Sequence, residues 1–298
     1  MTNHILQKLK ERKASGSARA LRTTDGLVDF VSNDYLGLSR SKELFEKIKQ
    51  YDFGGEVNIN GSAGSRLLAG NNGTAERLEE KLSNIFKSEA ALIFNSGYVA
   101  NLALISAIPQ RGDTIIYDSL SHVCLKEGAY LSKANRFSFR HNDCNDLESK
   151  LKSAKGSKYV IIESVYSMDG DLAPFGDIIE LAEKYEAKII VDEAHSTGLY
   201  GESGSGKLCA LGLEDHVFAR VHTFGKAMGV HGACVCGSKD LIEYLINFAR
   251  PFIYTTALPL HSLWSIDAAF DFLEENIFLQ TESKEKIFYF NSLFKKKF

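Results

Sequence analysis

Short β-rich runs alternate along this chain with segments whose apolar residues recur at helical spacing. The runs are Ala90–Phe94, 114–117, 136–139, 159–163, 188–192, 220–223 and Ala233–Gly237. Between them, residues 74–87 place Leu78, Leu82, Ile85 and Phe86 on one helical face behind an expected Thr74 cap. Asp177-Ile-Ile-Glu180 reads as the capping-box start of another helix, with Ile178, Leu181, Ala182 and Tyr185 turned inward. Such alternation predicts an α/β fold, a mostly parallel central sheet covered on both faces by helices. After Phe252 the rhythm changes, and 258–275 and 282–294 read as two helices. Polar strings gather where strands end, at Asn95-Ser-Gly97, Asp118-Ser-Leu-Ser-His122, 163–170, 192–198 and 223–229. Open α/β sheets bind ligands at that edge, so the chemistry is sought there.

Composition narrows the class. A chain of 298 residues allows one large domain, or one with a smaller companion, at about 150 residues per domain. With 44% hydrophobic and 24% charged residues, 4 prolines and 24 glycines, it has a globular rather than a disordered composition. The formal charge of −3 gives no warrant for a nucleic-acid partner. The first residues, MTNHILQKLKERK, lack the apolar core of a secretory signal. No apolar run approaches the roughly 18 residues that would span a bilayer. The five cysteines are scattered; Cys234 and Cys236 are expected on one face of a strand. A reducing, cytoplasmic setting without a membrane partner is the expectation.

Several chemistries are poorly supported. Gly201-Glu-Ser-Gly-Ser-Gly206-Lys207-Leu208 has the glycine and lysine spacing of a phosphate-binding loop, but Leu208 stands where a hydroxyl would hold magnesium. A Gly/Ser-rich loop is the better account. The histidines form no His-x-x-x-His pair, so no metal site is expected. No Gly-x-Ser-x-Gly nucleophile elbow occurs.

Two other strings reinforce each other. In Thr223-Phe-Gly-Lys226-Ala-Met-Gly229 a lysine follows an apolar strand among small residues; taken alone, a solvated surface lysine explains it equally well. In Ile189-Ile-Val-Asp192-Glu-Ala-His195 an aspartate ends a fully apolar strand, which is costly unless it meets a cation or a good donor. Capping the next segment would account for Asp192, and a core position for His195. Together, Lys226 and Asp192 suggest pyridoxal phosphate (PLP). That cofactor needs a lysine for its Schiff base and a carboxylate to keep its ring nitrogen protonated. Asn95-Ser-Gly97-Tyr98, opening a predicted helix, is a suitable phosphate cradle. His122 is a candidate to cover the ring.

On these residues the chain resembles the α-oxoamine synthases, fold-type-I PLP enzymes. The matching strings run in family order over residues 22–259. They are Phe30-Val-Ser-Asn33-Asp-Tyr-Leu-Gly37, Gly64-Ser-Arg66-Leu-Leu-Ala-Gly70-Asn71, Asn95-Ser-Gly97-Tyr98, Ser121-His122, Glu163-Ser-Val-Tyr-Ser167-Met-Asp169-Gly170, Asp192-Glu-Ala-His195-Ser-Thr-Gly198, Thr223-Phe-Gly-Lys226 and Phe252-Ile-Tyr-Thr-Thr256. The resemblance implies that Lys226 carries the cofactor, Asp192 pairs with the pyridine nitrogen and His122 stacks on the ring. It places His195 and Ser167 beside the phenolic oxygen, and Gly97, Tyr98 and Thr223 around the phosphate. Thr255 or Thr256 would reach the phosphate of a neighbouring subunit, since the family forms homodimers with shared sites. Arg22 and Asn33 match positions that face substrate. The implied reaction is decarboxylative condensation of L-alanine with a pimeloyl thioester, on coenzyme A or a carrier protein, to give 8-amino-7-oxononanoate in biotin biosynthesis. The alternatives are a relative acting like glycine C-acetyltransferase, or a PLP-binding subunit without synthase activity.

The same resemblance sets the expected domains: an N-terminal segment 1–39, a PLP-binding large domain 40–255, and helices 256–298 leading to a C-terminal α+β domain. Family members draw from that domain an arginine for the amino-acid carboxylate, and this chain stops at Phe298. A shortened form is therefore expected to bind the cofactor better than it turns over substrate. Loss of one charge-assisted pair, about 1.5–3 kcal/mol, would weaken the amino acid by roughly ten- to a hundredfold.

Overall fold

The computed structural model describes residues 3–23, 26–50 and 60–294; residues 1, 2 and 295–298 of the expected terminal segments lie outside the described residues. The chain divides into two compact units, Met1–Ser32 and Asn33–Phe298. In the first, helix Asn3–Ala14 buries none of its residues. Asp29 Oδ1 there accepts the amides of Val31 and Ser32, each at 3.0 Å.

The second unit is built on a seven-stranded sheet. Its strands are β1 (Ala90–Phe94), β2 (Thr114–Asp118), β3 (Asn135–Phe139), β4 (Lys158–Glu163), β5 (Ala187–Asp192), β6 (Ala219–Thr223) and β7 (Ala233–Gly237), in the order β1-β7-β6-β5-β4-β2-β3. Each apolar run of the sequence has become a strand. β2, β3, β4, β5 and β6 pair in parallel, while β7 runs antiparallel to both β1 and β6. The reversal has a simple cause. Residues 224–232 are too few for the crossover of a dozen or more that a parallel neighbour requires. Because β7 is antiparallel to both of its neighbours, β1 runs with the remaining strands, and six carboxyl ends share one edge.

Period-two alternation explains why the interiors of β4 and β5 are apolar at successive positions. Ile161 and Ile190 enter one apolar cluster with Leu104, Leu125 and Val221; their neighbours Val160, Ile162, Ile189 and Val191 enter another with Phe175, Ile178 and Leu208. A third cluster joins Cys234 and Cys236 to Leu78, Leu82, Phe86, Phe270 and Leu273. The two thiols thus share a face as expected, with 3.7 Å between their sulfurs, and both are free. Ile190, fully buried in the middle of β5, is a direct probe of this packing. Ile190→Ala is expected to cost about 2–5 kcal/mol, read as a lowered urea midpoint at unchanged m-value.

Helix boundaries differ from the sequence pattern in three places. Helix Gly73–Ile85 is capped by Asn72, whose side chain accepts the Ala75 amide at 2.9 Å, and Thr74 is buried within its first turn. Both residue types cap well, and here the extended backbone of Asn72 takes the position. Helix Phe175–Lys184 starts behind Pro174, not at a capping box. Asp177 lies inside its first turn, where a negative charge complements the helix dipole. The last two helices are Leu260–Glu275 and Phe278–Phe294, the second starting at Phe278 instead of 282.

Candidate active site

The shared strand edge carries acids at the ends of apolar strands. Asp192 ends β5 and Glu163 ends β4, and the two are register partners on adjacent parallel strands. Asp192 is only 4% exposed, and its cost of burial is offset by two donors. The Asn101 amide reaches Oδ2 at 2.7 Å, and the Ala194 backbone N–H reaches Oδ1 at 2.8 Å. Asn101 comes from helix Gly97–Ala107, which follows β1 and is capped by Ser96 through the Val99 amide. A helix start leaves the first-turn amides of Gly97 and Tyr98 without intrahelical acceptors. Gly97 also allows this turn to approach β6, since a Cβ there would sit 3.1 Å from Thr223 Cβ.

Lys226 lies on the short connection between β6 and β7, held by a turn in which the Gly229 amide donates to the Lys226 carbonyl at 3.0 Å. Its Nζ stands 2.7 Å from His195 Nε2, and His195 Nδ1 stands 2.7 Å from the Tyr35 hydroxyl. His122 caps helix Val123–Leu131 with its own ring, accepting the Cys124 amide at Nδ1. That ring nitrogen is also 2.9 Å from Cys124 Sγ, and the His122 backbone N–H donates to Glu163. Lys226, His195, His122, Cys124, Glu163 and Asp192 line a single cavity of about 220 Å³ together with Ser96, Gly97, Tyr98, Asn101, Ala194 and Thr223.

Burial governs the protonation of this cavity. Desolvation pulls the Lys226 amine below its ordinary range, with Asp192 and Glu163 opposing. His195 falls to about 4, chiefly through burial and then through Lys226 and His122. His122 is lowered too, by burial, with Asp192 pulling the other way. Glu163 moves in the opposite sense, to about 8, because burial and the Asp192 carboxyl both disfavour its charge.

A native carboxyl whose affinity for protons is raised stabilises the fold below its unfolded value of 4.5 and loses that stabilisation as pH climbs through about 8. His195, being lowered, acts in the opposite sense at lower pH, so the difference between two proteins isolates the Glu163 contribution. The urea midpoint of Glu163→Gln minus that of wild type, both cofactor-free, is expected to rise between pH 5 and 8. A flat difference would show that Glu163 ionises normally.

Seven residues singled out in the sequence thus meet at one site: Lys226, Asp192, His195, His122, Gly97, Tyr98 and Thr223. Asn33 reaches it indirectly, accepting from the Tyr35 hydroxyl at 3.0 Å. Ser167 is not brought there. It is exposed on the turn after β4, where the Gly170 amide donates to the Tyr166 carbonyl. Thr256 is exposed as well, and its carbonyl accepts from the Asn95 amide at 2.9 Å. Arg22 is exposed within the first unit. Glu163, Asn101, Cys124 and Tyr35 were not identified from sequence. Two of them left a trace: Glu163 ends an apolar strand as Asp192 does, and Asn101 is a lone amide in an otherwise apolar helix core.

The loop Gly201–Gly206 holds no empty phosphate cradle. The amides of Lys207 and Leu208 at the following helix start both donate to the buried Glu193 carboxylate at 2.9 Å, and Lys207 Nζ lies 4.5 Å over the Tyr200 ring. Among the described residues no group of His, Cys, Asp or Glu could hold a metal ion. None of the described helices is long and apolar enough to cross a membrane.

Comparison with known proteins gives this geometry a context. The profile of the family described as aminotransferase class I and II matches residues 25–294. A putative 8-amino-7-oxononanoate synthase of Halalkalibacterium halodurans is 42% identical over 284 residues, covering 91% of this chain and 71% of the relative. The 8-amino-7-oxononanoate synthase of Emericella nidulans is 42% identical over 275 residues, covering 86% and 66%. Among solved structures, a serine palmitoyltransferase from S. paucimobilis with bound PLP–myriocin aldimine superposes with a TM-score of 0.80 at 28% identity, covering 91% of this chain and 72% of that one. The 8-amino-7-oxononanoate synthase of Francisella tularensis does so with 0.76 at 29% identity, covering 92% and 77%.

Proposed function

The chain belongs to the aminotransferase class I and II family, and from that premise we propose that it is a PLP-dependent acyltransferase joining L-alanine to a pimeloyl thioester, as an 8-amino-7-oxononanoate synthase of biotin biosynthesis. The observation that carries this reading is the convergence of Lys226, Asp192 and the first-turn amides of Gly97 and Tyr98 on one cavity. The residues fit the cofactor: an amine, a buried acid, a cradle that a Cβ at Gly97 would fill, and an imidazole to one side. Relatives named for this synthase at about 40% identity support the substrate pair.

When bound, PLP supplies an electron sink for negative charge developing at the amino-acid Cα. The residues of the chain do the rest. Lys226 would be the attachment point, and its amine, whose hold on a proton burial weakens, would take the Cα proton. Asp192 holds the ring-nitrogen proton, itself fixed by Asn101 and the Ala194 amide. His122 would stack on the ring, and His195, 2.7 Å from Lys226 Nζ, would orient that amine and meet the phenolic oxygen. The Gly97 and Tyr98 amides, with the Thr223 hydroxyl, hold the phosphate. Arg22 and Asn33 are assigned to the substrate side. Thr256, exposed in a single chain, serves the partner's phosphate in a homodimer. Ser167, exposed on the turn after β4, is assigned with His195 to the phenolic edge.

A serine-using reading is favoured by one finding, the superposition on serine palmitoyltransferase. Thiol release from pimeloyl-CoA with L-alanine, set against palmitoyl-CoA with L-serine, separates the two. The first pair is expected to be preferred at least about tenfold in kcat/KM. Preference for the second pair overturns the substrate assignment, and no release with either marks a cofactor-binding subunit without synthase activity.

A further inference from the structure

Four side chains run in line from the edge of the cavity to the lysine. The Tyr35 hydroxyl donates to Asn33 Oδ1 at 3.0 Å, lies 2.7 Å from His195 Nδ1, and His195 Nε2 lies 2.7 Å from Lys226 Nζ. A phenol has one proton. If it is given to Asn33, an amide oxygen that can only accept, the phenol oxygen must accept from His195. We propose that Tyr35, backed by Asn33, is a positioning residue that holds His195 protonated on Nδ1, so that Nε2 faces Lys226 as an acceptor.

While Lys226 carries its ammonium proton, the alternative tautomer would set an Nε2–H against three N–H donors, donor against donor. With Nε2 as acceptor, one lysine N–H has a fixed partner and the amine is aimed before the cofactor arrives. The imidazole is neutral in this setting, since burial and the neighbouring Lys226 both disfavour its charge, so the tautomer is the only variable left. Tyr35 itself is partly exposed, at 39%, and needs Asn33 to keep its proton turned away from the histidine.

The tautomer is read directly from two-bond proton–nitrogen correlations in cofactor-free protein labelled with ¹⁵N-histidine, His195→Gln identifying the signal among 8 histidines. Wild type is expected to show Nδ1 protonated and Nε2 bare. Tyr35→Phe removes the acceptor and should give a mixture. Asn33→Ala frees the phenol proton for His195 and should raise the Nε2-protonated form. Asn33→Asp, which can only accept, should restore the wild-type pattern. In parallel, the rate of cofactor attachment should fall roughly 2- to 13-fold in Tyr35→Phe, the factor corresponding to one neutral hydrogen bond.

An Nε2-protonated wild type, or a tautomer indifferent to Tyr35 and Asn33, overturns the proposal. Unchanged signals from the other histidines show that the variants fold. The rate measurement rests on Lys226 being the attachment point, whereas the tautomer does not. Failure to attach cofactor with the tautomer as stated would therefore count against the proposed function alone.

Discussion

Asp192→Asn is expected to keep the cofactor while slowing exchange of the Cα deuteron of L-alanine in heavy water by about two to four orders of magnitude, the range that a well-placed acid–base group spans. The amide keeps the size of the carboxyl and can still meet the Asn101 amide or the Ala194 N–H. What it lacks is the charge that holds a proton on the ring nitrogen, and without that proton the ring is a poor electron sink. Binding should change far less than exchange, because the phosphate cradle at Gly97, Tyr98 and Thr223 is untouched. Undiminished exchange would mean that another group protonates the ring, and Glu163, paired in register with Asp192, would be the first to examine.

Lys226→Ala is expected to have the larger effect. It removes both the covalent anchor and the base, so Cα exchange should drop by about four orders of magnitude or more. The absorption band of the attached cofactor should be replaced by that of loosely held cofactor. The two losses are not independent. Combining Lys226→Ala with Asp192→Asn should cost little beyond the lysine change alone, because groups acting on one step are grossly non-additive. A residual rate in Lys226→Ala close to wild type would place the base elsewhere.

The central strands β4 and β5 and the edge that bears the site were legible in the sequence, because strands buried on both faces are apolar at successive positions. Ile189-Ile-Val-Asp192 and Tyr159-Val-Ile-Ile-Glu163 show this plainly. Strand direction was less legible. The reversal of β7 depends on the length of the 224–232 connection, not on the composition of the strand. Caps were ambiguous wherever several capping residues stand together, as at Asn71-Asn72-Gly73-Thr74. Within the site, residues carried on the strand-end strings met as expected. Ser167 lies outside the lining of the cavity, exposed on the turn after β4. Tyr35 could not be read at all: its contact with His195 spans 160 positions, and no periodicity encodes a pairing made by the fold alone.

The most direct test of the account is where the cofactor attaches. The protein loaded with PLP, reduced with borohydride and digested, should yield one pyridoxyl-modified peptide, with the modification on Lys226. The geometry gives a reason for that selectivity, since Lys226 points at the cavity and His195, whereas Lys207 lies over Tyr200 beside a helix start already occupied by Glu193. Modification at Lys207, or spread over several surface lysines with Lys226 unmodified, would contradict it.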